Sequence, residues 1–390
     1  MRIALPKADK RLVFVLLCLA NITISFNFAA LAAVIPVMSE SLGLPAVSVS
    51  RILHYYMIPY GLGALIYPPL TRRMTYKAIL LGCMFFYTTA NFVCGFAVHL
   101  PVILLSRIVM GIAAAGIIPL TLMIIGKFFE KEIRGRMVGL FFSTSFAASL
   151  VGIILSGMTS WVWLFIIPGC WGALTLAAIG IFSEKILLQK EEGGIDYWNV
   201  IHRQEVAKVF LYIFMISFLY HGVHKWLGVY LNHVYGLKQM AISFYFMVLA
   251  VSGAIGQNIG GYLTDKKGRF ISCLIGVLML SATTMLLYFK LPLVVLGVAL
   301  GLFAIGWTIG HNGVSTILTD FPDEHRAEIA GLNSAVRFFS GGLGFFAGGA
   351  FVEKIFGLTF LGFGVLMLME TVFLKYIIPQ DNTTKEARYA

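Results

Sequence analysis

Seven ionisable side chains stand out among those inside long apolar stretches of this 390-residue sequence, where a charge is costly and usually serves a function. They are Arg107, His221, His224, Lys225, His311, Arg337 and Glu370. Cations outnumber the single acid, so a site built from them would favour an anion such as a carboxylate or a phosphate ester. The first eleven apolar stretches contain no aspartate or glutamate, which leaves histidine as the side chain that could relay a proton.

Helical spacing groups several of these residues. Ser217, His221, His224 and Lys225 fall on one helical face. Lys225 either faces a cavity or extends its ammonium group to the lipid headgroups, and each histidine either contacts the solute or packs through a hydrogen bond. Arg337 lies near the middle of its apolar stretch, one turn after Asn333, so we expect it to face a central cavity.

The candidate substrate-binding set combines these cations with polar residues that could line the same space. It consists of Asn27, Arg107, His221, His224, Lys225, His311, Asn312 and Arg337. Further polar candidates are Thr23, Tyr55, Tyr56, Gln257 and Asn258. Arg107 either contacts the substrate or packs helices together, and Glu370 is assigned to packing.

Twelve apolar runs are long enough to cross a bilayer as helices, which takes roughly 20 residues. They cover residues 12–37, 47–69, 78–98, 102–125, 137–158, 161–182, 209–231, 241–263, 270–289, 291–318, 329–351 and 356–378. With 59% hydrophobic and 12% charged residues, the composition excludes a water-soluble fold. The first run is too long for the apolar core of a signal peptide, so we expect it to remain as a span.

The charge distribution predicts the topology. Most of the 29 lysines and arginines fall on the side shared with the N-terminus, so the positive-inside rule places both termini in the cytoplasm. Residues 184–208 form a polar connection between six spans and six spans. We therefore expect a six-helix bundle at residues 1–183, a cytoplasmic linker, and a second six-helix bundle at 209–390 with a short cytoplasmic tail.

The two halves resemble each other. When the sequence is shifted by 192 residues, five residues of the first half align with identical residues of the second half. The first group is Phe129, Glu132, Arg134, Gly139 and Leu140, and the second is Phe321, Glu324, Arg326, Gly331 and Leu332. Duplicated six-span units are a common plan for carriers that alternate access around a central site.

Three motifs resemble the major facilitator superfamily. The sequence GYLTDKKGR at residues 261–269 is similar to its loop signature, RIVMG at 107–111 to its fourth-span motif, and RGR at 134–136 to its entrance into span five. The resemblance implies a transporter with two six-helix bundles. It also implies that Gly261, Asp265, Gly268 and Arg269 belong to a cytoplasmic latch between the halves.

The first half departs from the latch pattern, because Arg72 and Arg73 stand where an acid is expected. We expect Asp265 to meet the span-five entrance at Arg134. The two arginines should meet Asp323 or Glu324, so the two latches would have opposite polarity. Span five also lacks the Gly-Pro motif of the family's proton-driven drug exporters, which lowers the expectation of an exporter.

These observations favour a carrier for a small organic anion, driven by exchange or by proton symport through histidine. The alternatives are proton-driven efflux of drug-like or sugar-like solutes and lipid flipping. An enzyme is not expected, because the sequence has no P-loop, HExxH or GxSxG motif. Five cysteines without CxxC spacing predict neither a metal site nor disulfides, and no cofactor is expected. We expect a multi-pass monomer in the cell membrane, without nucleic-acid binding.

Overall fold

The computed structural model describes residues 7–71, 73–183, 196–321, 325–352 and 355–378. Within these ranges the chain is helical and contains no strand, as the long apolar runs predict. By its packing the chain divides into two compact units. The first comprises Met1–Ile195, Lys238–Ser243 and Ala330–Phe339, and the second comprises Asp196–Leu237, Phe244–Ile329 and Ser340–Ala390.

The helices of the first half follow the predicted spans. They are α1 (Lys7–Ser25), α2 (Ala30–Ala33), α3 (Ile35–Leu42), α4 (Ala46–Ala64), α5 (Tyr67–Leu70), α6 (Tyr76–Phe96), α7 (Leu100–Ala114), α8 (Ile117–Phe128), α9 (Lys131–Met158) and α10 (Trp163–Phe182).

The second half begins with a short helix that lies within the predicted linker. Its helices are α11 (Tyr197–His202), α12 (Gln204–His224), α13 (Leu227–Tyr235), α14 (Gln239–Lys267), α15 (Arg269–Leu286), α16 (Leu293–Thr319), α17 (Arg326–Val352) and α18 (Phe356–Ile377). Helix α12 starts at Gln204, five residues before the predicted start of the seventh span.

Eleven helical stretches in the described part of the chain are long and apolar enough to cross a membrane. They correspond to eleven of the twelve predicted spans. The predicted second span is α4, which is 19 residues long but carries Arg51, His54 and several tyrosines among its apolar residues. These polar residues lower the mean hydropathy of α4 below that of the other eleven spans.

Four predicted spans contain breaks, and in the second of them α4 ends at Ala64 before α5 begins at Tyr67. The first span includes α1 and α2, the fourth includes α7 and α8, and the seventh includes α12 and α13. The seventh span breaks at Lys225 and Trp226, where Trp226 donates from Nε1 to the carbonyl oxygen of Phe345 at 3.0 Å. The indole therefore fixes the position of the break against α17.

Close packing of α4 on α7 explains the glycine of the fourth-span motif. A Cβ atom added at Gly111 would collide with the backbone carbonyl oxygen of Tyr56 and lie 3.1 Å from the backbone nitrogen of Tyr60. Only a residue without a side chain lets the two backbones approach this closely.

A polar seam joins α1 to α9. The Asn21 amide nitrogen donates to the Phe141 carbonyl oxygen at 2.8 Å and to the Ser145 hydroxyl at 2.6 Å. One turn further along α1, the Ser25 carbonyl oxygen accepts a hydrogen bond from Ser149 at 2.9 Å. The hydroxyl-rich segment that replaces Gly-Pro in span five thus attaches this helix to span one.

The C-terminal end of α10 is capped by α6. Lys77 donates from Nζ to the carbonyl oxygens of Gly180, at 2.8 Å, and Ser183, at 2.6 Å. The Tyr76 hydroxyl also lies 2.6 Å from the Ser183 hydroxyl. A cation at this end satisfies carbonyl groups that the helix leaves open.

Candidate functional site

Arg107 is buried in the first unit, with 1% of its side chain exposed. Its Nε donates to the carbonyl oxygen of Ile52 at 3.0 Å, and its guanidinium carbon lies 4.2 Å from the ring centroid of Tyr56. A third contact joins Nη1 to the Met110 sulfur at 3.6 Å. These partners are all electrically neutral, so the interactions hold the guanidinium in place without cancelling its charge.

A row of aromatic rings continues from Tyr56 within the first unit. Its ring centroid lies 5.8 Å from Tyr60 and 5.8 Å from Phe28. Both of these rings contact Phe338 of α17, which is stacked on Tyr60 at 3.8 Å and lies 5.7 Å from Phe28. We call these four residues the aromatic row; it joins α4 to the Ala330–Phe339 segment.

Arg337 precedes the last ring of the aromatic row. It is half-buried, and its Nε donates to the Asn333 carboxamide oxygen at 2.6 Å. The pair one turn apart, noted in the sequence, therefore forms a hydrogen bond that orients the guanidinium. In the first unit Arg107 therefore contacts Tyr56 of the aromatic row, and Arg337 is the residue before Phe338 of the same row in the sequence.

Asn27 is buried in a hydrogen-bonded network. Its amide nitrogen donates to the Asn91 carboxamide oxygen at 3.1 Å, and its own oxygen accepts from the Tyr87 hydroxyl at 3.3 Å. Asn91 in turn donates to the Tyr87 carbonyl oxygen at 2.9 Å. With both ends of its amide occupied, Asn27 contributes to helix packing between α6 and the turn after α1.

The predicted histidines of the second unit lie in an aromatic cluster between α12 and α16. Tyr220 is stacked on Trp307 at 3.8 Å, with an interplanar angle of 10°, and on His224 at 5.1 Å. His221 and His311 lie 5.9 Å and 5.8 Å from the Trp307 ring. We call these five residues the histidine–aromatic cluster. It brings together all three predicted histidines.

The cluster leaves one imidazole nitrogen without a hydrogen bond. Nδ1 of His224 is buried and has no partner in the part of the chain that the structure describes. Most buried polar atoms are hydrogen-bonded, so this nitrogen is available to a hydrogen-bonding ligand.

Lys225 follows the last residue of α12, at the break of the seventh span. Its side chain is 2% exposed, which places the ammonium group inside the protein and not at its surface.

Asn312 is paired with Gln257. The Gln257 amide donates to the Asn312 side-chain oxygen at 2.8 Å, while the Asn312 amide donates to the Gln257 carbonyl oxygen at 2.7 Å.

The second-half loop contains an ion pair that the sequence did not indicate. Gly268 has a φ of 88°, a left-handed conformation that favours glycine, and it precedes α15. The turn places Arg269 against Asp320, with Nε to Oδ2 at 3.1 Å and Nη2 to Oδ1 at 3.0 Å. This bidentate pair joins the start of α15 to the end of α16.

Other predicted latch residues have separate positions. Arg134 donates from Nε to the Phe129 carbonyl oxygen at 2.8 Å, and Arg73 and Asp265 are exposed. Gly261 lies in α14, where an added Cβ would meet no atom within 4 Å. Arg72, Asp323 and Glu324 lie outside the described residues, so the proposed pairings of the latch stay predictions.

The aromatic partners of the charged residues were not among the predicted site residues. Phe303, Trp307 and His311 recur every four residues on α16, and this spacing could have indicated a common face. Nothing in the sequence indicated which rings stack, because the partners come from different helices. No group of side chains in the described residues has the composition of a metal site.

Residues 17–345 match the family model of the Major Facilitator Superfamily, so the chain belongs to that family. Its fold is the all-helical fold of major facilitator transporters, as predicted. The human organic anion transporter MFSD10 (TETRAN) has a similar structure, with a TM-score of 0.72 and 14% sequence identity, over 95% of this chain and 100% of that chain.

Two relatives show similarity in sequence. Multidrug resistance protein 3 of Bacillus subtilis (strain 168) is 25% identical over 297 residues, which cover 59% of this chain and 58% of that protein. A probable L-galactonate transporter of Escherichia coli (strain K12) is 25% identical over 253 residues, covering 58% of this chain and 55% of the relative. The chain thus matches little more than half the length of these two proteins.

Proposed function

We propose that this protein is a secondary carrier that moves a small organic anion across the cell membrane by alternating access. The main support is Arg107, a buried guanidinium whose hydrogen-bond and ring partners are all neutral. Its charge is therefore balanced by no acid in the described part of the chain, and it gives the interior of the first unit a positive potential. Because Arg107 is covered by Tyr56, it acts through this potential and not by touching the solute.

Arg337 is the residue that we propose to contact the anion in the first unit. It is half-buried, it is oriented by Asn333, and a guanidinium binds carboxylate and phosphate groups through two parallel hydrogen bonds. Lys225 provides a second buried cation in the second unit. The names of the organic anion transporter and of the L-galactonate transporter, whose named substrate is a carboxylate, agree with this assignment.

Coupling by exchange or by a proton is part of the same proposal. If a proton is carried with the solute, we assign it to the histidine–aromatic cluster, because imidazole titrates near neutral pH and the sequence provides no acid in spans one to eleven.

Uptake into proteoliposomes tests the anion assignment. Monocarboxylates, dicarboxylates, sugar acids and phosphate esters are first screened for those that raise the unfolding temperature of the purified protein. The compound with the largest shift is then used, radiolabelled, in uptake assays. We expect the Arg337→Ala/Lys225→Ala double variant to lose uptake, while Lys238→Ala, which removes an exposed lysine, retains it. Unchanged uptake by the double variant would contradict the proposal.

A second candidate is efflux of drug-like solutes. An open groove of about 580 Å³ between α14 and α16 is lined mostly by apolar residues, including Phe244, Tyr245 and Val248. The aromatic surface around Trp307 and the similarity to a multidrug resistance protein also favour this candidate. Competition distinguishes the two: inhibition of anion uptake by excess unlabelled anion, but not by a lipophilic dye, supports the anion carrier.

A further inference from the structure

Glu370 is the one acid of α18, and its carboxyl group is buried in apolar surroundings. Its side chain is 3% exposed, and the residues one turn away on the same face, Met367 and Leu374, are fully buried. Neither carboxyl oxygen has a hydrogen-bond partner in the described part of the chain. Packing alone does not explain why an acid occupies this position.

Helices α12 and α15 pack along α18, and Tyr230 and the exposed His233 of α13 contact Phe356 and Phe360 in its first two turns. The Ser281 hydroxyl of α15 donates to the Gly364 carbonyl oxygen at 2.8 Å, and Phe218 of α12 lies 6.4 Å from Phe363. These contacts hold α18 on the face that carries Glu370, so the carboxyl group is enclosed by the second unit itself.

No cation of these helices is placed to neutralise a carboxylate at this position. Lys208 of α12 and Lys375 of α18 are exposed, and Arg269 of α15 is bonded to Asp320. The remaining titratable residues of α12, α15 and α18 are Glu205, Tyr212, Tyr220, His221, His224, Cys273 and Tyr376, and those of α13 are Tyr230, His233 and Tyr235. Glu205 and Tyr376 are exposed, and the buried tyrosines and the cysteine are uncharged near neutral pH. His221 and His224 belong to the histidine–aromatic cluster.

An ionised carboxylate without a partner is far more costly in an apolar, membrane-embedded interior than a neutral carboxylic acid. We propose that Glu370 is a proton-binding site of the second unit, which holds its proton in the packed state described here. Loss of that proton weakens the packing of α18 against α12 and α15, and the proton goes to bulk solvent. This site is separate from the substrate-binding residues and does not depend on which solute is carried.

The first test measures the unfolding temperature of the purified full chain in detergent between about pH 5.5 and pH 8. The folded state would hold one proton that the unfolded state has lost, so stability falls as pH rises. We expect the ratio of unfolded to folded wild-type protein to rise by up to about tenfold per pH unit relative to Glu370→Gln. Glu205→Gln, which removes an exposed acid from α12, should follow the wild type.

Infrared spectroscopy provides a second, direct measurement that does not require the variant to be stable. A protonated carboxyl group gives a carbonyl stretching band that an ionised group lacks. We expect this band in the wild type and in Glu205→Gln at pH 7, its disappearance at strongly alkaline pH, and its absence from Glu370→Gln. A wild-type spectrum without the band at pH 7, or superimposable pH profiles of the wild type and Glu370→Gln, would overturn the proposal.

Discussion

The guanidinium group of Arg107 lies against the ring of Tyr56, 4.2 Å from its centroid, while Nε of the same arginine bonds the carbonyl oxygen of Ile52 one turn earlier on α4. One side chain of α7 thus contacts both a ring and the backbone of α4. The arginine of the fourth-span motif is therefore as much a part of helix packing as a source of charge.

Replacing Arg107 should separate these two roles. A lysine retains the charge but lacks the planar group that stacks on Tyr56, so we expect Arg107→Lys to lower the stability by roughly 1–2 kcal/mol. Tyr56→Phe keeps the ring face and should be close to the wild type, whereas Tyr56→Leu should resemble Arg107→Lys. Thermal unfolding of the purified variants measures the difference, and equal stability of Tyr56→Phe and Tyr56→Leu would argue against the ring contact.

The close approach at Gly111 predicts a steric effect in the same interface. We expect Gly111→Ala to destabilise the protein by about 1–3 kcal/mol, because the added methyl group must displace the backbone of α4. Gly82→Ala is the matched control, since the added methyl group meets no atom within 4 Å on α6. The free energy of unfolding of Gly82→Ala should rise by up to about 1 kcal/mol, because alanine favours the helix over glycine. A similar loss of stability in both variants would refute the packing argument.

The hydroxyl groups of Ser156 on α9 and Ser243 in the first turn of α14 lie 2.8 Å apart within the first unit. In a variant whose native cysteines are replaced, we expect Ser156→Cys/Ser243→Cys to form a disulfide under mild oxidation. If these two segments separate during transport, oxidation should arrest uptake and a reductant should restore it.

Ser143→Cys combined with Ser243→Cys is the control for this experiment, because Ser143 is exposed and bonds the carbonyl oxygen of Gly139. It should neither crosslink nor respond to oxidation. Efficient crosslinking of the first pair with unchanged uptake would mean that the two segments stay together through the cycle.

The Arg269–Asp320 pair is partly exposed, with 35% and 24% of the two side chains accessible. We expect a double-mutant cycle with Arg269→Gln and Asp320→Asn to give a coupling energy of about 0.5–1 kcal/mol that decreases in high salt. Asp265→Asn serves as the control, since Asp265 is exposed and should show no coupling to Arg269. A coupling energy that does not change with salt would be inconsistent with a solvent-screened pair.

Much of the fold follows from hydropathy, but the breaks within spans do not. The twelve apolar runs match the helices because bilayer thickness fixes a minimum length of apolar sequence. By contrast, the break at Lys225 and Trp226 has no proline or glycine, and it depends on a hydrogen bond from Trp226 to a distant carbonyl oxygen. Because the sequence shows no helix breaker at this position, Lys225 was expected on the face of one continuous helix.

The residues of the candidate site could also be predicted from the sequence only in part. Charged residues inside apolar runs identified Arg107, Arg337 and the histidines, because the cost of burying a charge is visible in the sequence itself. The partners of these residues are tertiary: Tyr56 covers Arg107, Trp307 contacts His221, and Tyr220 links Trp307 to His224. Asp320 illustrates the point, since nothing in the sequence indicated that it would pair with Arg269, 51 residues away.

The cap on α10 has a practical consequence for engineering. Lys77 and Tyr76 of α6 bind the last turn of α10 at Gly180 and Ser183, so this end is held by contacts within the first six spans. A protease cleavage site, an epitope tag or a fluorescent reporter inserted beyond Ser183 should leave the first six spans undisturbed. The same cap makes this position suitable for expressing the protein as two separate polypeptides.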